Sequence, residues 1–594
     1  MLLFWILLLV VGAVASDYDY IIVGGGTSGL AVANRLAQDP KVSVLVIEAG
    51  SSVFDNVNVT DISNLPYTYD SPLDWAYETT EQGFGKRRQV MRAGKALGGT
   101  SVMNGAAYVR AEKGQIDALH EFGIDGWDWD SLFPYYTKSE NMTTPNKTQT
   151  EAGASICPTY HGSSGPVHVG FMDIRKEEYD LTASMNRTLE SLGIPWNQDL
   201  NSGHMRGFAL HPYTVDVTNI RSDAARAYYW PYAERPNLRV KLDTFVSRIL
   251  WHNEEDGSDI RAQGVEVFTQ EGNGRQINVV NARREVIMAA GAMRTPAILE
   301  LSGVGNPRIL EKYGIPVQVN LPSVGENLQD QLNTSIVVST KTPITGTRTV
   351  AFASASDIFG SSVESVATLV RSQLEGYADI AASSSNGAMT KEDLLKMFEI
   401  QHDLVFDQDV PVAEFVFILE NANTIHTGYW GLLPFARGNV HISSADPMAP
   451  PVVNPNFGLF EWDVQVQIAM SKFLRQMYKS GELNNLISNE TLPGFKEIPE
   501  EASDETWKEW IGEQYTPNYH AIGTTSMLPR SMGGVVDSRL KIYGTSNVRV
   551  VDSSIQPMQI GGHPTANLYA IAERVSDMIK EDAITTTKSK LSAF

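Results

Sequence analysis

The chain has 594 residues, 42% of them hydrophobic, and its 47 basic against 69 acidic side chains leave a formal charge of -22. This length and apolar content exclude a disordered or fibrous chain and suffice for two or more domains with sizeable cores. The acidic field repels phosphate backbones and anionic membranes, which excludes nucleic acid and membrane as expected partners and favours a neutral small molecule.

Residues 1–15 form an apolar run closed by Ala13-Val14-Ala15, the small-x-small pattern of a secretory cleavage site. Six Asn-x-Ser/Thr sequons, at Asn58, Asn141, Asn146, Asn186, Asn333 and Asn489, fit a glycosylated product of that route. The expected location is therefore outside the cell, or along the secretory pathway, the cell wall or the vacuole. The lone Cys157 excludes an internal disulfide, so stability must come from core burial.

Tyr20-Ile21-Ile22-Val23 reads as a strand, Gly24-Gly25-Gly26-Thr27-Ser28-Gly29 as a tight turn and the stretch to Leu36 as a helix. The next apolar run, Val42 to Ile47, ends in Glu48, about twenty residues beyond the last glycine, where a βαβ unit sets a carboxylate against a ribose 2′-OH. Gly24, Gly26 and Gly29 permit the turn and a close backbone approach, so that a pyrophosphate can rest on the amides of Thr27 and Ser28 at the helix N-terminus. A second glycine turn, Gly98-Gly99-Thr100-Ser101, lies within the segment Arg92 to Gly105 and also exposes consecutive backbone amides. Further on come Gly291-Ala292-Met293-Arg294-Thr295-Pro296, running to Gly305, and the run Val324-Gly325-Glu326-Asn327-Leu328-Gln329-Asp330-Gln331. The Ser/Ala-rich stretches near 352–363 and 381–385 read as loops or weak helix surfaces. The acidic stretch Glu497 to Glu513, carrying Trp507 and Trp510, reads as a solvated helix with an apolar side turned inward.

Toward the C-terminus, Val548 to Val551 reads as a short strand closed by Asp552, at the strand end where cofactors bind in open α/β sheets. Pro564 then starts a helix with Leu568, Ile571, Val575 and Met578 at helical spacing. That N-terminus directs a partial positive charge outward from beside His563. Removing a hydroxyl proton as a hydride leaves requires a base, and a neutral imidazole suits the task near pH 7. No pair of histidines has metal-ligand spacing supported by Cys or carboxylates, so no metal is expected.

The Arg92–Gly105 and Gly291–Gly305 segments resemble the two signatures of the glucose-methanol-choline (GMC) oxidoreductases, and the resemblance extends through Val324–Gln331 and residues 547–583. It implies an FAD-dependent enzyme that oxidises an alcohol by hydride transfer to flavin N5, with oxygen or a quinone as electron acceptor. The expected fold class is α/β with an α+β second domain: a Rossmann-like FAD-binding domain with a discontinuous substrate-binding domain. The expected boundaries are 1–15 for the signal peptide; 17–75, 90–170, 215–330 and 540–586 for the FAD domain; 171–214 and 331–539 for the substrate domain; and 587–594 for a frayed tail. By resemblance, Asn104 lies near the flavin ring, Val246 contacts adenine through its backbone and Asp552 touches the ribityl-phosphate region. His520 is the implied base, and His563 is the residue that orients the hydroxyl. Within the family, the segments Arg92–Gly105, Trp430–Asn439 and Tyr543–Asp552 resemble the fungal glucose oxidases and glucose dehydrogenases and their biosynthetic relatives. Glu414 and Asn518 resemble sugar-contacting residues, but Thr516 stands where the glucose-specific members carry an arginine. The substrate is therefore a sugar such as glucose or a primary alcohol, with a secondary-metabolite alcohol as the alternative and a non-redox lyase or cyclase that retains FAD as another. A monomer or homodimer is expected.

Overall fold

The computed structural model describes residues 16–174, 180–252, 259–271 and 274–592; the expected leader at 1–15 lies outside them. Strand β1 (Ser16–Val23), helix α1 (Thr27–Leu36) and strand β2 (Val44–Ile47) form the βαβ unit read from the sequence. β1 pairs in parallel with β2, Ile21 opposite Leu45, and on its other side with strand Gly274–Met288, Ile22 opposite Ile287. Both central strands are buried on both faces, which explains why they read as unbroken apolar runs rather than alternating ones. Leu238–Lys241 extends the sheet beyond β2, and the antiparallel strands Ala262–Glu271 and Phe245–Trp251 extend it on the far side. Val548–Val550, nearly at the end of the chain, pairs in parallel with Gly274–Met288. Helix α2 (Gly291–Leu301) follows that strand.

A second sheet is antiparallel throughout and built on β3 (Leu332–Thr340), β4 (Ala413–Asn421) and β5 (Thr424–Gly431), in the spatial order β3-β5-β4. Thr349–Ala353 and Gly207–Ala209 add to its β4 side, and Ile487–Leu492 lies beyond β3. Along β3 burial alternates strictly: Leu332, Thr334, Ile336 and Val338 are buried, whereas Asn333, Ser335 and Val337 are half-buried. The buried face meets helix Glu461–Tyr478, where Gln467 hydrogen-bonds Thr334 and the Leu332 carbonyl. The opposite face roofs the candidate site.

Two expectations need correction. Near 352–363, read as loop or weak helix surface, Phe352 and Ala353 instead end a fully buried strand, after which short helices follow. The helix alternative holds for 381–384, which end a 22-residue helix, Val363–Ser384, whose Val370, Leu374, Tyr377, Ala378 and Ala381 are buried at helical spacing. The C-terminal helix α3 runs from Pro564 to Ser592 rather than yielding to a tail at 587, because no glycine or proline interrupts it after Pro564. Its expected stripe is also only half of the buried surface. Leu568 and Met578 are half-buried, and the deeper Ala566, Tyr569, Ala572 and Ser576 reflect packing against both α1 and helix Trp129–Ser139. The acidic segment does form a helix, Asp504–Gln514, with Trp507, Trp510 and Ile511 turned inward.

Candidate active site

The first glycine turn is shaped by close contact. A Cβ on Gly29 would stand 2.1 Å from the Gly24 carbonyl oxygen, and one on Gly24, at φ +106°, would stand 2.3 Å from the Ala289 carbonyl. No side chain caps α1 at Gly26, and half-buried Thr27 opens the helix. The buried Ser28 hydroxyl has no partner among the described residues. The helix thus presents a positive end and an unsatisfied hydroxyl, as an anionic phosphate requires. Glu48 closes β2, its oxygens accepting from Gly25 N and Gly50 N at 2.8 Å each; burial pushes its pKa up to about 7.

The second turn packs onto the first. A Cβ on Gly99 would lie 2.6 Å from Gly26 Cα, and Gly98, at φ +109°, donates its N–H to the Gly25 carbonyl at 2.8 Å. Thr100 is exposed, its hydroxyl accepting from Gly94 N at 3.1 Å. Asn104 donates to Thr565 Oγ1 at 3.2 Å and accepts from the guanidinium of fully buried Arg221 at 2.7 Å, tying the segment to the first turn of α3. Val246 is buried in the outer strand of the first sheet, opposite Val267. Asp552 accepts from Gly291 N at 2.9 Å, Thr295 Oγ1 at 2.6 Å and both the amide and hydroxyl of Ser554. The carboxylate thus accepts four hydrogen bonds that fix the end of strand Val548–Val550 against helix α2.

The two predicted histidines meet. Their ring centroids lie 5.3 Å apart and nearly perpendicular, with His563 immediately before Pro564 at the start of α3. Surrounding protein, and secondarily His563, holds the His520 imidazole well below its usual 6.5, so it is neutral at pH 7. His520 Nδ1 lies 3.0 Å from Gln331 Oε1 and 3.0 Å from Asn518 Nδ2. His563 Nε2 lies 2.9 Å from Glu414 Oε1, a fully buried carboxylate whose Oε2 has no partner among the described residues. Glu414 sits directly across from Trp430 in the β4–β5 ladder, and Trp430 across from Asn333 in the β3–β5 ladder, so all three share the roof. The buried Trp430 Nε1–H also lacks a partner among the described residues, and its ring lies 6.1 Å from His563 and 6.5 Å from His520. The roof thus offers one unmet acceptor and one unmet donor beside two imidazoles.

Thr516 is exposed on strand Thr516–Pro517, paired with Asn333. Asn333, the half-buried sequon residue, donates to Asn518 Oδ1 at 3.0 Å. Asn146 and Asn489 are exposed, while Asn58, Asn141 and Asn186 are half-buried. Sequence reasoning missed His211, buried with its ring 6.5 Å from His563, and Tyr69, whose ring lies 6.1 Å from that of Tyr519. It also passed over Trp430 as a pocket residue. No local motif marks these positions; only the fold gathers them.

Residues 18–333 and 434–572 match family models described as GMC oxidoreductase. The chain is 42% identical over 573 residues to a glucose oxidase-like protein, fsoC, of Humicola fuscoatra, covering 96% of each. It is 34% identical to a glucose oxidase of Penicillium chrysogenum, covering 95% of this chain and 92% of that one. Among solved structures, an FAD-dependent oxidoreductase of Chaetomium thermophilum superposes with a TM-score of 0.84 at 28% identity, over 95% of this chain and 99% of the other. A fungal aryl-alcohol oxidase gives 0.85 at 26%, over 96% and 100%.

Proposed function

The protein belongs to the GMC oxidoreductase family and uses FAD, and on that premise we propose that it oxidises a sugar or another alcohol bearing further hydroxyl groups. The Gly24–Gly29 turn, Glu48, the Gly98–Asn104 segment and the N-terminus of α3 would hold the cofactor. The unpartnered Ser28 hydroxyl and the glycine contacts fit it. FAD, when bound, supplies the hydride acceptor.

The protein's own groups manage the proton. With His520 Nδ1 against Gln331, Nε2 is the nitrogen left to take the hydroxyl proton, and the imidazole is neutral when it does so. His563, fixed through Nε2 by Glu414, keeps Nδ1 to orient that hydroxyl. Glu414 Oε2 accepts from a second substrate hydroxyl, and Trp430 Nε1–H donates to it or to its neighbour. The carrying observation is this unmatched acceptor and donor on one ladder rung beside the histidine pair.

Thr516 favours a second reading, a secondary-metabolite alcohol. It supplies no guanidinium to grip sugar hydroxyls, which forgoes about 1.5–3 kcal/mol of charge-assisted hydrogen bonding. Anaerobic mixing with glucose and then with a benzylic or allylic alcohol, followed by flavin absorbance near roughly 450 nm, separates the readings. Bleaching by glucose supports the first and bleaching only by the other alcohol the second, whereas bleaching by neither overturns both. Reoxidation by air against a quinone then identifies the acceptor. The leader at 1–15 and the exposed sequons Asn146 and Asn489 support a secreted glycoprotein.

A further inference from the structure

The run Val324–Gln331 takes no direct part in the proposed chemistry, yet its side chains reach both histidine loops. We infer that Asp330 and Gln331 act together as positioning residues that fix the location and the tautomer of His520; this rests on reading His520 as the base. Gln331 is fully buried and donates its amide nitrogen to the Leu432 carbonyl at 3.3 Å. That acceptor decides which way the amide faces: its oxygen is turned to His520 Nδ1 at 3.0 Å and to Asn518 Nδ2 at 2.9 Å. Asn518 is oriented in turn by Asn333, which donates to its oxygen. The amides therefore run in one direction, from Asn333 through Asn518 and Gln331 to the Leu432 carbonyl. Asn518 Nδ2 also lies 3.0 Å from His520 Nδ1, but it has an acceptor of its own in Gln331 Oε1, so we take the Gln331 carbonyl as the ring's partner; that pairing sets a proton on Nδ1 and leaves the lone pair of the neutral ring on Nε2.

Asp330 secures the backbone. Its Oδ1 accepts from Gln331 N at 2.8 Å and His520 N at 2.9 Å, and its Oδ2 from Tyr519 N at 3.1 Å. Tyr519 stands at φ +64°, a left-handed conformation that a bulky residue adopts at a cost and that surrounding bonds must maintain. Among the described residues this carboxylate has only backbone amides as hydrogen-bond partners, and burial raises its pKa to about 7.

The same run braces the other histidine loop. Gln329 Nε2 donates to the Pro557 carbonyl at 3.0 Å, Asn327 Nδ2 to the same carbonyl at 2.9 Å, and Gln559 N to Gln329 Oε1 at 3.1 Å. Gln559 Nε2 closes the loop onto the His520 carbonyl at 2.8 Å. The ionisable groups around His520 are His563 beside its ring, Glu414 behind His563 and Asp330 beneath its backbone.

The test uses FAD-loaded enzyme carrying Q331L, Q331E, D330N or H520A. It measures anaerobic flavin reduction from about pH 4 to 9, together with histidine-selective 15N spectra in which H520A identifies the His520 resonances. Wild type should show Nδ1 protonated and Nε2 bare. Q331L should mix the tautomers and lower the limiting rate about 10- to 100-fold at similar KM. Q331E, placing a carboxylate against Nδ1, should raise the apparent pKa of the base by about one unit or more. D330N should lower the limiting rate while leaving flavin content intact. A purely structural role would not give Leu and Glu distinct pH signatures. Should Q331L fail to load FAD, the near-isosteric Q331M takes its place with the same expectation. An inactive H520A with Q331L and Q331E profiles matching wild type would overturn the inference but spare the base assignment; an active H520A would remove that assignment itself.

Discussion

Replacing Glu414 by Gln changes one oxygen for an NH2 at nearly constant volume, in a side chain that is fully buried. The amide oxygen can still accept from His563 Nε2, now 2.9 Å from Oε1. The NH2 then occupies the place of Oε2, the acceptor without a partner among the described residues. A substrate hydroxyl that donates to Oε2 therefore loses one charge-assisted hydrogen bond, about 1.5–3 kcal/mol, which is roughly a 10- to 150-fold fall in kcat/KM. The reversed amide would set an N–H against the His563 N–H and cost more. Anaerobic stopped-flow reduction of the flavin by the best substrate reads this directly, with flavin content and melting temperature as controls. A cycle with H563N separates the two tasks of Glu414: strong non-additivity is expected for the share that acts through His563, and additivity for the share that acts on substrate. A kcat/KM for E414Q within twofold of wild type would refute the reasoning.

Four further outcomes are expected. Because His520 is held well below 6.5, the acid limb of the kcat–pH profile should lie below that value, and a limb above pH 7 would point to another base. T516R should raise kcat/KM for glucose about 10-fold or more if glucose enters this pocket, and should leave it unchanged otherwise. G29A, whose Cβ would stand 2.1 Å from the Gly24 carbonyl, should open the turn and lose FAD, seen as a collapsed visible-to-ultraviolet absorbance ratio. Burial would lower the pKa of His441, but its hydrogen bonds to Glu300 and Glu326 raise it to about 10. A raised value means that this bridge is fully formed below about pH 6.5, the unfolded imidazole's value, and is lost as pH climbs toward 10. The melting temperature should fall over that interval more steeply in wild type than in H441Q.

How much of this was legible depended on the range of the interactions involved. The βαβ unit was readable because its glycines, Glu48 and two apolar runs lie within thirty-odd residues and each answers a local demand of backbone or ligand. His520 and His563 could be named because both stand in recognisable surroundings. Of the roof only Glu414 was named, by resemblance: that Asn333, Trp430 and Glu414 share a face follows only from ladder registers joining segments far apart in sequence. Helix Val363–Ser384 had a signal, its Val370, Leu374, Tyr377, Ala378 and Ala381 spacing, but serine and alanine content obscured it. His211 carries no local mark, and Asp330 was read only as part of the run Val324–Gln331, since the significance of both comes from what the fold sets beside them.

Strand Val548–Val550 joins a sheet that begins at Ser16, and Arg35 on α1 meets Glu573 on α3 at 2.6 Å. On the ribosome, the amino-terminal half of the nucleotide cradle emerges long before its closing strand and helix exist. The nascent chain must therefore wait, with its first sheet incomplete along one side of strand Gly274–Met288, until almost all of the protein has been synthesised. A premature stop between the second sheet and Val548 removes the last strand of the cradle and the histidine preceding α3 together, so such a fragment could neither finish folding around a cofactor nor act as an enzyme.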